Sequence, residues 1–375
     1  MELTKEEHHR YSRQISLSEL GIEGQIKLKK AKVIVIGAGG LGCSLLPYLA
    51  AAGTGTIGII DGDSIDVTNL HRQVLFNKNE IGKNKAGIAK QKLSVLNPEI
   101  NIVSISEFLY PENALTILEN YDLIIDGSDN FECRYLINDV CVKLDKPFVS
   151  GAVYRFTGQV GVFNFNRSGT YRCLFDKPPL PGQRPDCSET GVMGIVPGIV
   201  GTLMANEAIK IICGIGEALS GKILNIDFLS MKFQTVSFRR DENAVDEIRS
   251  LPLLNSQEYK NICNVSSNEI IKEISPGELK QILDQNDNIQ LIDVREPFER
   301  AKVHIGGDFI PLGDIMLNVA KISKDKKVIF YCKAGIRSQI AITQLQDKYG
   351  FTNLYNLKGG LKTYLEMNSI IENLK

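Results

Sequence analysis

Lys32-Val33-Ile34-Val35-Ile36-Gly37-Ala38-Gly39-Gly40-Leu41-Gly42 is the stretch from which the fold can be read. A β-branched run leads straight into glycines at Gly37, Gly39, Gly40 and Gly42, and then into the helix-prone segment Cys43 to Ala52. Strand, tight glycine turn and helix N-terminus, in that order, build a cradle for nucleotide phosphates. The glycines let backbone approach the anion, and the first N–H groups of the helix point at it. Asp61 closes the next strand, Ile57 to Ile60, where an acidic residue meets a ribose hydroxyl. The alternative is a glycine turn that serves only close packing of strand against helix.

Length and composition narrow the class. With 375 residues the chain has room for two domains with cores of their own. The 43 lysines and arginines nearly balance 44 acidic residues, which argues against a nucleic-acid or membrane-surface binder. The charged start, Met1 to Glu7, lacks the apolar core of a signal peptide, and no apolar run is expected to reach spanning length. A cytoplasmic protein is expected. The 8 cysteines include no Cys-x-x-Cys pair and do not form a disulfide framework.

Beyond Asp61, the segment Val67-Thr68-Asn69-Leu70-His71-Arg72-Gln73 is more than an ordinary dinucleotide dehydrogenase needs. It is expected to bring Asn69 and Arg72 to the mouth of the cradle, with Lys85 adding a cation at the start of the helix Ala86 to Leu96. Several donors around one cradle suit a triphosphate better than a nicotinamide pyrophosphate. A fourth strand, Asp122 to Ile125, runs into Asp126-Gly127-Ser128-Asp129-Asn130 and a helix from Phe131 to Leu144. Asp129 is a candidate Mg²⁺ ligand there, because that ion takes one or two carboxylates plus phosphate oxygens. Asp126 and Asp129 could instead cap the helix. Phe148 to Phe165 reads as two strands, Ile199 to Ile212 as an apolar helix and Ile223 to Phe238 as a hairpin. Between them, Cys187 sits after a proline-rich loop, either as a nucleophile or as an inert thiol.

The sequence divides into a domain over 1–240, a polar linker over 241–268 and a second domain over 269–375. The second has its own βα rhythm, with strands Ile289 to Ile292 and Val328 to Tyr331, then Cys332-Lys333-Ala334-Gly335-Ile336-Arg337 and a helix Ser338 to Lys348. Loop N–H groups, the helix dipole and Arg337 would stabilise a thiolate at Cys332. Four residues separate Cys332 from Arg337, a loop narrower than the five-residue spacing of cysteine phosphatases and suited to the terminal sulfur of a persulfide.

Residues 6 to 240 resemble the adenylyltransferases that activate ubiquitin-like sulfur carriers: the molybdopterin-synthase adenylyltransferase, its thiamine-pathway relative and the ubiquitin-activating enzymes. The matching motifs are Arg10-Tyr11-Ser12-Arg13-Gln14-Ile15, the Gly37–Gly42 turn, Asp61-Gly62-Asp63, Asn69-Leu70-His71-Arg72-Gln73, Lys85, Ser128-Asp129-Asn130 and Gly191-Val192-Met193-Gly194. Residues 273 to 370 resemble a rhodanese domain through Asp293-Val294-Arg295-Glu296-Pro297, His304-Ile305-Gly306-Gly307 and Cys332 to Arg337. The fold class implied is α/β, a Rossmann-like adenylation domain followed by a smaller rhodanese-like domain.

The resemblance implies that Asp61 holds the ribose, that Asn69, Arg72 and Lys85 hold the triphosphate, and that Asp129 binds Mg²⁺. Asp63, Thr68, Gln73 and Asn130 would complete the ATP site. Arg13 would reach the ATP of a partner subunit in a homodimer, and Cys187 would take up the carrier covalently. The partners implied are a carrier ending in Gly-Gly and a persulfide donor such as a cysteine desulfurase. Many relatives hold a structural zinc with two Cys-x-x-Cys pairs. Here Thr170 stands in the first pair with Cys173, and the second has no cysteine, so no zinc is expected. Two rival readings are a nicotinamide-dependent oxidoreductase and an adaptor that docks a ubiquitin-like partner without turnover.

Overall fold

The computed structural model describes residues 2–176, 191–250, 252–253, 255, 258–259, 271–285 and 288–373. The chain falls into two units, one taking it to Ile262 and the other built on Cys263–Lys375.

In the first unit, helices α1 (Lys5–Arg10), α2 (Ser12–Ile15) and α3 (Gly21–Lys30) lead into β1 (Lys32–Ile36), the strand of the glycine motif. Val33 and Val35 enter the core on one side of the sheet, and Ile34 and Ile36 enter the core on the other. A strand buried on both faces needs a continuous apolar run, which explains why this segment does not alternate with polar residues. Helix α4 (Gly40–Ala52) follows, and Gly53 ends it in the left-handed conformation. Strands β2 (Thr56–Ile60), β3 (Asn101–Ile105) and β4 (Leu123–Asp126) join β1 in parallel. Helices α5 (Lys85–Leu96), α6 (Pro111–Leu118) and α7 (Phe131–Lys143) connect or follow them.

Four more strands, β5 (Phe148–Tyr154), β6 (Thr157–Phe163), β7 (Lys222–Asp227) and β8 (Lys232–Ser237), complete an eight-stranded sheet of order β3-β2-β1-β4-β5-β6-β7-β8. The β5–β6, β6–β7 and β7–β8 pairs are antiparallel. Strand order reverses between β1 and β4, and the carboxyl ends of these two strands flank the crevice where open sheets of this kind bind ligands.

The apolar helix Ile195–Cys213 is 19 residues long and, by length and composition alone, could cross a bilayer. That corrects the expectation that no apolar run reaches spanning length. Its Val196, Val200, Met204, Ala205 and Ala208 are buried in this unit's core. Gly201 lets it approach α4 closely, since a Cβ there would stand 2.5 Å from the Leu41 carbonyl oxygen. Within the polar stretch 241–268, Glu242–Ser250 is helical, buries Val245 and packs on α7. Further along, Tyr259 is buried and its hydroxyl donates to Asp139 Oδ2 at 2.9 Å.

The second unit has a five-stranded parallel sheet of order β11-β10-β12-β13-β9, from β9 (Lys272–Ile274), β10 (Ile289–Asp293), β11 (Asp308–Phe309), β12 (Lys327–Tyr331) and β13 (Leu354–Leu357). In the central strand β12, Val328 and Phe330 face one core and Ile329 and Tyr331 the other. Cys332 follows at once, at the carboxyl end of that strand, and the helix Ile336–Tyr349 begins four residues later.

Candidate active sites

The glycine turn is closed by steric necessity. Gly37 has φ +93°, and a Cβ there would lie 2.8 Å from the Gly127 carbonyl oxygen. A Cβ on Gly42 would lie 2.2 Å from the Gly37 carbonyl oxygen. The turn therefore touches both α4 and the loop after β4. Asp61, buried at the end of β2, accepts the Ala38 N–H at 2.7 Å and the Asp63 N–H at 2.8 Å. Burial pushes its carboxyl above the ordinary value, although these N–H groups and Lys85 pull the other way.

The segment after Asp61 returns to the turn. Arg72 and Gln73 reach it: a Cβ on Gly40 would stand 3.6 Å from Arg72 Cγ, and one on Gly39 3.8 Å from Gln73 Nε2. Gln73 is buried, and its amide oxygen has no hydrogen-bond partner among the described residues. Asn69 ends a short 3₁₀ turn, Val67–Asn69, that Asp66 caps through the Thr68 N–H, while the Thr68 hydroxyl also donates to Asp66. Lys85 is buried and ion-paired with Asp63 at 2.8 Å. Gly194 packs on His71, and Pro197 covers Gly40.

The loop after β4 is organised by Asp126 together with Arg134, a residue that no motif in the sequence singles out. Asp126 does not cap α7. Its carboxylate accepts Arg134 Nε at 3.0 Å, the Ser150 hydroxyl at 2.6 Å, and both the N–H and the hydroxyl of Ser128. Arg134 Nη2 also donates to the Ser128 and Gly151 carbonyls. The cap is Asn130, whose side chain accepts the Cys133 N–H. Asp129 is left exposed at the loop's tip. Arg13 is exposed on the short helix Ser12–Ile15, and Cys187 lies outside the described residues.

Cysteine chemistry separates the thiols. Burial pushes Cys43 up to about 12 and Cys213 up to about 11, so neither is a nucleophile at neutral pH. Thr170 Oγ1 lies 3.2 Å from Cys173 Sγ, which accepts the Asp241 N–H at 3.3 Å. Among the described residues there is no group of three or more His, Cys, Asp or Glu side chains that could hold a metal ion.

In the second unit the Gly335 N–H donates to Cys332 Sγ at 3.1 Å. Arg337 gives both terminal nitrogens to Glu299, at 2.6 and 2.8 Å. Glu299 belongs to the same Asp-Val-Arg-Glu-Pro-Phe-Glu run whose Asp293 and Arg295 form a buried bidentate pair. Its signal in the sequence was its position three residues after Glu296, where a capping carboxylate is expected.

Comparison with known proteins matches a family to each unit. The ThiF family matches residues 11–246, and the rhodanese-like domain matches residues 275–367. The chain is 42% identical over 371 residues to the probable adenylyltransferase/sulfurtransferase MoeZ of Mycobacterium tuberculosis, covering 96% of this chain and 93% of that protein. It is 49% identical over 246 residues to the sulfur carrier protein adenylyltransferase of Thermus thermophilus, covering 64% of this chain and 91% of that one. It is 38% identical over 396 residues to the adenylyltransferase and sulfurtransferase MOCS3 of Xenopus laevis, covering 97% and 87%. Among solved structures, E. coli MccB with ATP superposes with a TM-score of 0.54 at 27% identity, over 64% of this chain and 73% of that one. The glycine turn of the first unit and the cysteine loop of the second thus stand in one chain that belongs to the ThiF family and continues into a rhodanese-like domain.

Proposed function

We propose that the protein activates the C-terminal glycine of a ubiquitin-like sulfur carrier of molybdopterin or thiamine type as an acyl-adenylate and converts it to a thiocarboxylate. The carrier's carboxylate, already ionised at neutral pH, attacks the α-phosphate of ATP, and pyrophosphate leaves. The turn N–H groups, Arg72 and Lys85 offset charge developing on the phosphates, and Asp61 holds the ribose. Asn69, Asp63, Thr68, Gln73 and Asn130 line the nucleotide, and the unpartnered Gln73 amide oxygen suits a hydroxyl of the substrate. Asp129, an exposed carboxylate on the loop after β4, would hold Mg²⁺, which when bound neutralises phosphate charge. Arg13 acts across a homodimer interface. An ATP-consuming reaction that needs reduced thiols belongs in the cytoplasm.

The second step runs through Cys332. Its thiolate takes the outer sulfur of a protein persulfide, and the donor leaves as a thiolate. The new persulfide's terminal sulfur then attacks the activated carbonyl and AMP leaves. A second thiol, for which Cys187 is the candidate, cleaves the acyl disulfide, releasing the thiocarboxylate and a disulfide that an external thiol must reduce. The observation that carries this reading is the pairing in one chain of a cation-rimmed glycine turn with a hydrogen-bonded cysteine loop. Cys332→Ala should keep carrier-dependent pyrophosphate exchange near the wild-type rate and abolish thiocarboxylate formation. Asp129→Ala should abolish exchange while Cys332 still accepts sulfur. Full thiocarboxylate production by Cys332→Ala would make the second unit a docking module and sink the second step.

A further inference from the structure

Cys332 is 1% exposed, and among the described residues its sulfur has two hydrogen-bond partners, both neutral. One is the Gly335 N–H at 3.1 Å, and the other is the Ser338 hydroxyl, whose Oγ lies 3.5 Å away. Ser338 is itself 0% exposed, in the first turn of the helix Ile336–Tyr349. Its single proton has three acceptors in reach: Asn356 Oδ1 at 2.6 Å, the Gly335 carbonyl at 3.0 Å and the Cys332 sulfur. The amide of Asn356, 1% exposed on β13, is oriented from its far side, where Nδ2 donates to Glu273 Oε1 at 3.4 Å. A carboxylate only accepts, so Oδ1 must face Ser338.

The charged groups on the surrounding elements have partners of their own. Arg337 is bonded to Glu299, Arg295 and Arg300 pair with Asp293, Lys358 faces Glu273 at 3.7 Å, and Lys333 is exposed. The hydroxyl is therefore the side-chain donor in contact with the sulfur. While the sulfur is a neutral thiol, the shortest contact wins and the proton points at Asn356. Ionisation turns the sulfur into the strongest acceptor of the three.

We propose that Ser338 is a further catalytic residue for sulfur uptake: its hydroxyl swings from Asn356 to the ionised Cys332 sulfur, and Asn356 sets how readily it leaves. This rests on the reading of Cys332 as the sulfur carrier. In the step served, the Cys332 thiolate attacks the outer sulfur of a persulfide R–S–SH. The Cys332–sulfur bond forms, the donor's S–S bond breaks, its electron pair leaves on R–S⁻, and the proton stays on the transferred sulfur. The hydroxyl supplies a hydrogen bond and is not consumed.

The test is the pH profile of Cys332 alkylation by iodoacetamide in the full chain, read by mass spectrometry on the Cys332 peptide alone. Ser338→Ala should raise the midpoint by about one pH unit, because it removes a hydrogen bond to the ionised form. Asn356→Leu, which removes the competing acceptor and keeps the branching at Cγ, should lower it. A role limited to packing would move both variants the same way or neither. A Ser338→Ala profile that overlays the wild type would overturn the proposal, as would a rise in both. Sulfur loading of Cys332 from thiosulfate at pH 7 should fall about tenfold in Ser338→Ala, the rate equivalent of one pH unit. If the two midpoints shift as expected but wild-type Cys332 takes no sulfur from thiosulfate or a protein persulfide, the hydroxyl's role stands and the sulfur-carrying reading falls.

Discussion

Asp126 and Arg134 meet at 3.0 Å with side chains 0% and 10% exposed, and together they hold the loop that presents Asp129. Removing one partner of a buried pair leaves an uncompensated charge, at a cost of about 3–5 kcal/mol. Arg134→Met should therefore destabilise the first unit by that amount in urea unfolding. It should also lower pyrophosphate exchange, because the Ser128 carbonyl loses its anchor. Arg134→Lys should recover part of the stability, since it restores the charge without the guanidinium's second and third bonds.

Gly42→Ala should be more damaging than a surface glycine change, because no relaxation of side chains relieves a 2.2 Å contact with backbone oxygen. ATP binding measured by titration calorimetry should be lost. Sulfur loading of Cys332 in the same protein should continue, since the second unit has its own sheet and cores.

Hydrogen bonding from Arg337 holds the Glu299 carboxyl below its ordinary value of 4.5. A depressed folded-state value stabilises the fold fully above 4.5, and that contribution is lost as pH falls through the depressed value. The helix Ile336–Tyr349 should accordingly lose hydrogen-exchange protection on acidification below pH 4.5. In Glu299→Gln the protection at pH 7 should already be lower, and the further loss on acidification smaller.

Arg13 offers a test of assembly. If it acts on a partner subunit's nucleotide, mixing inactive Arg13→Ala and Asp129→Ala proteins should restore part of the exchange activity through hybrid dimers. A fully active monomer by analytical ultracentrifugation would exclude that arrangement.

Lys32–Ile36 could be read directly because a strand buried on both faces writes its environment into every residue, and the glycines after it admit few other backbones. Cys332 was legible for the same reason, as the residue ending another such strand. Arg134 was not, because nothing local distinguishes an arginine in Phe131–Lys143 from a solvated one. Its partner Asp126 comes from the preceding strand and its other acceptor, Gly151, from the next. The helix Glu242–Ser250 was hidden by its charge: it is held by Val245 and its packing on α7, contacts that exist only once the sheet is assembled. The pairing of Lys85 with Asp63 was not legible, because it depends on two segments that meet only in the fold.

The contact of Gly194 with His71 also acts as a leash. A Cβ on Gly194 would stand 2.1 Å from the His71 carbonyl oxygen, so any larger residue there would pry the entry to the helix Ile195–Cys213 away from Asn69–Gln73.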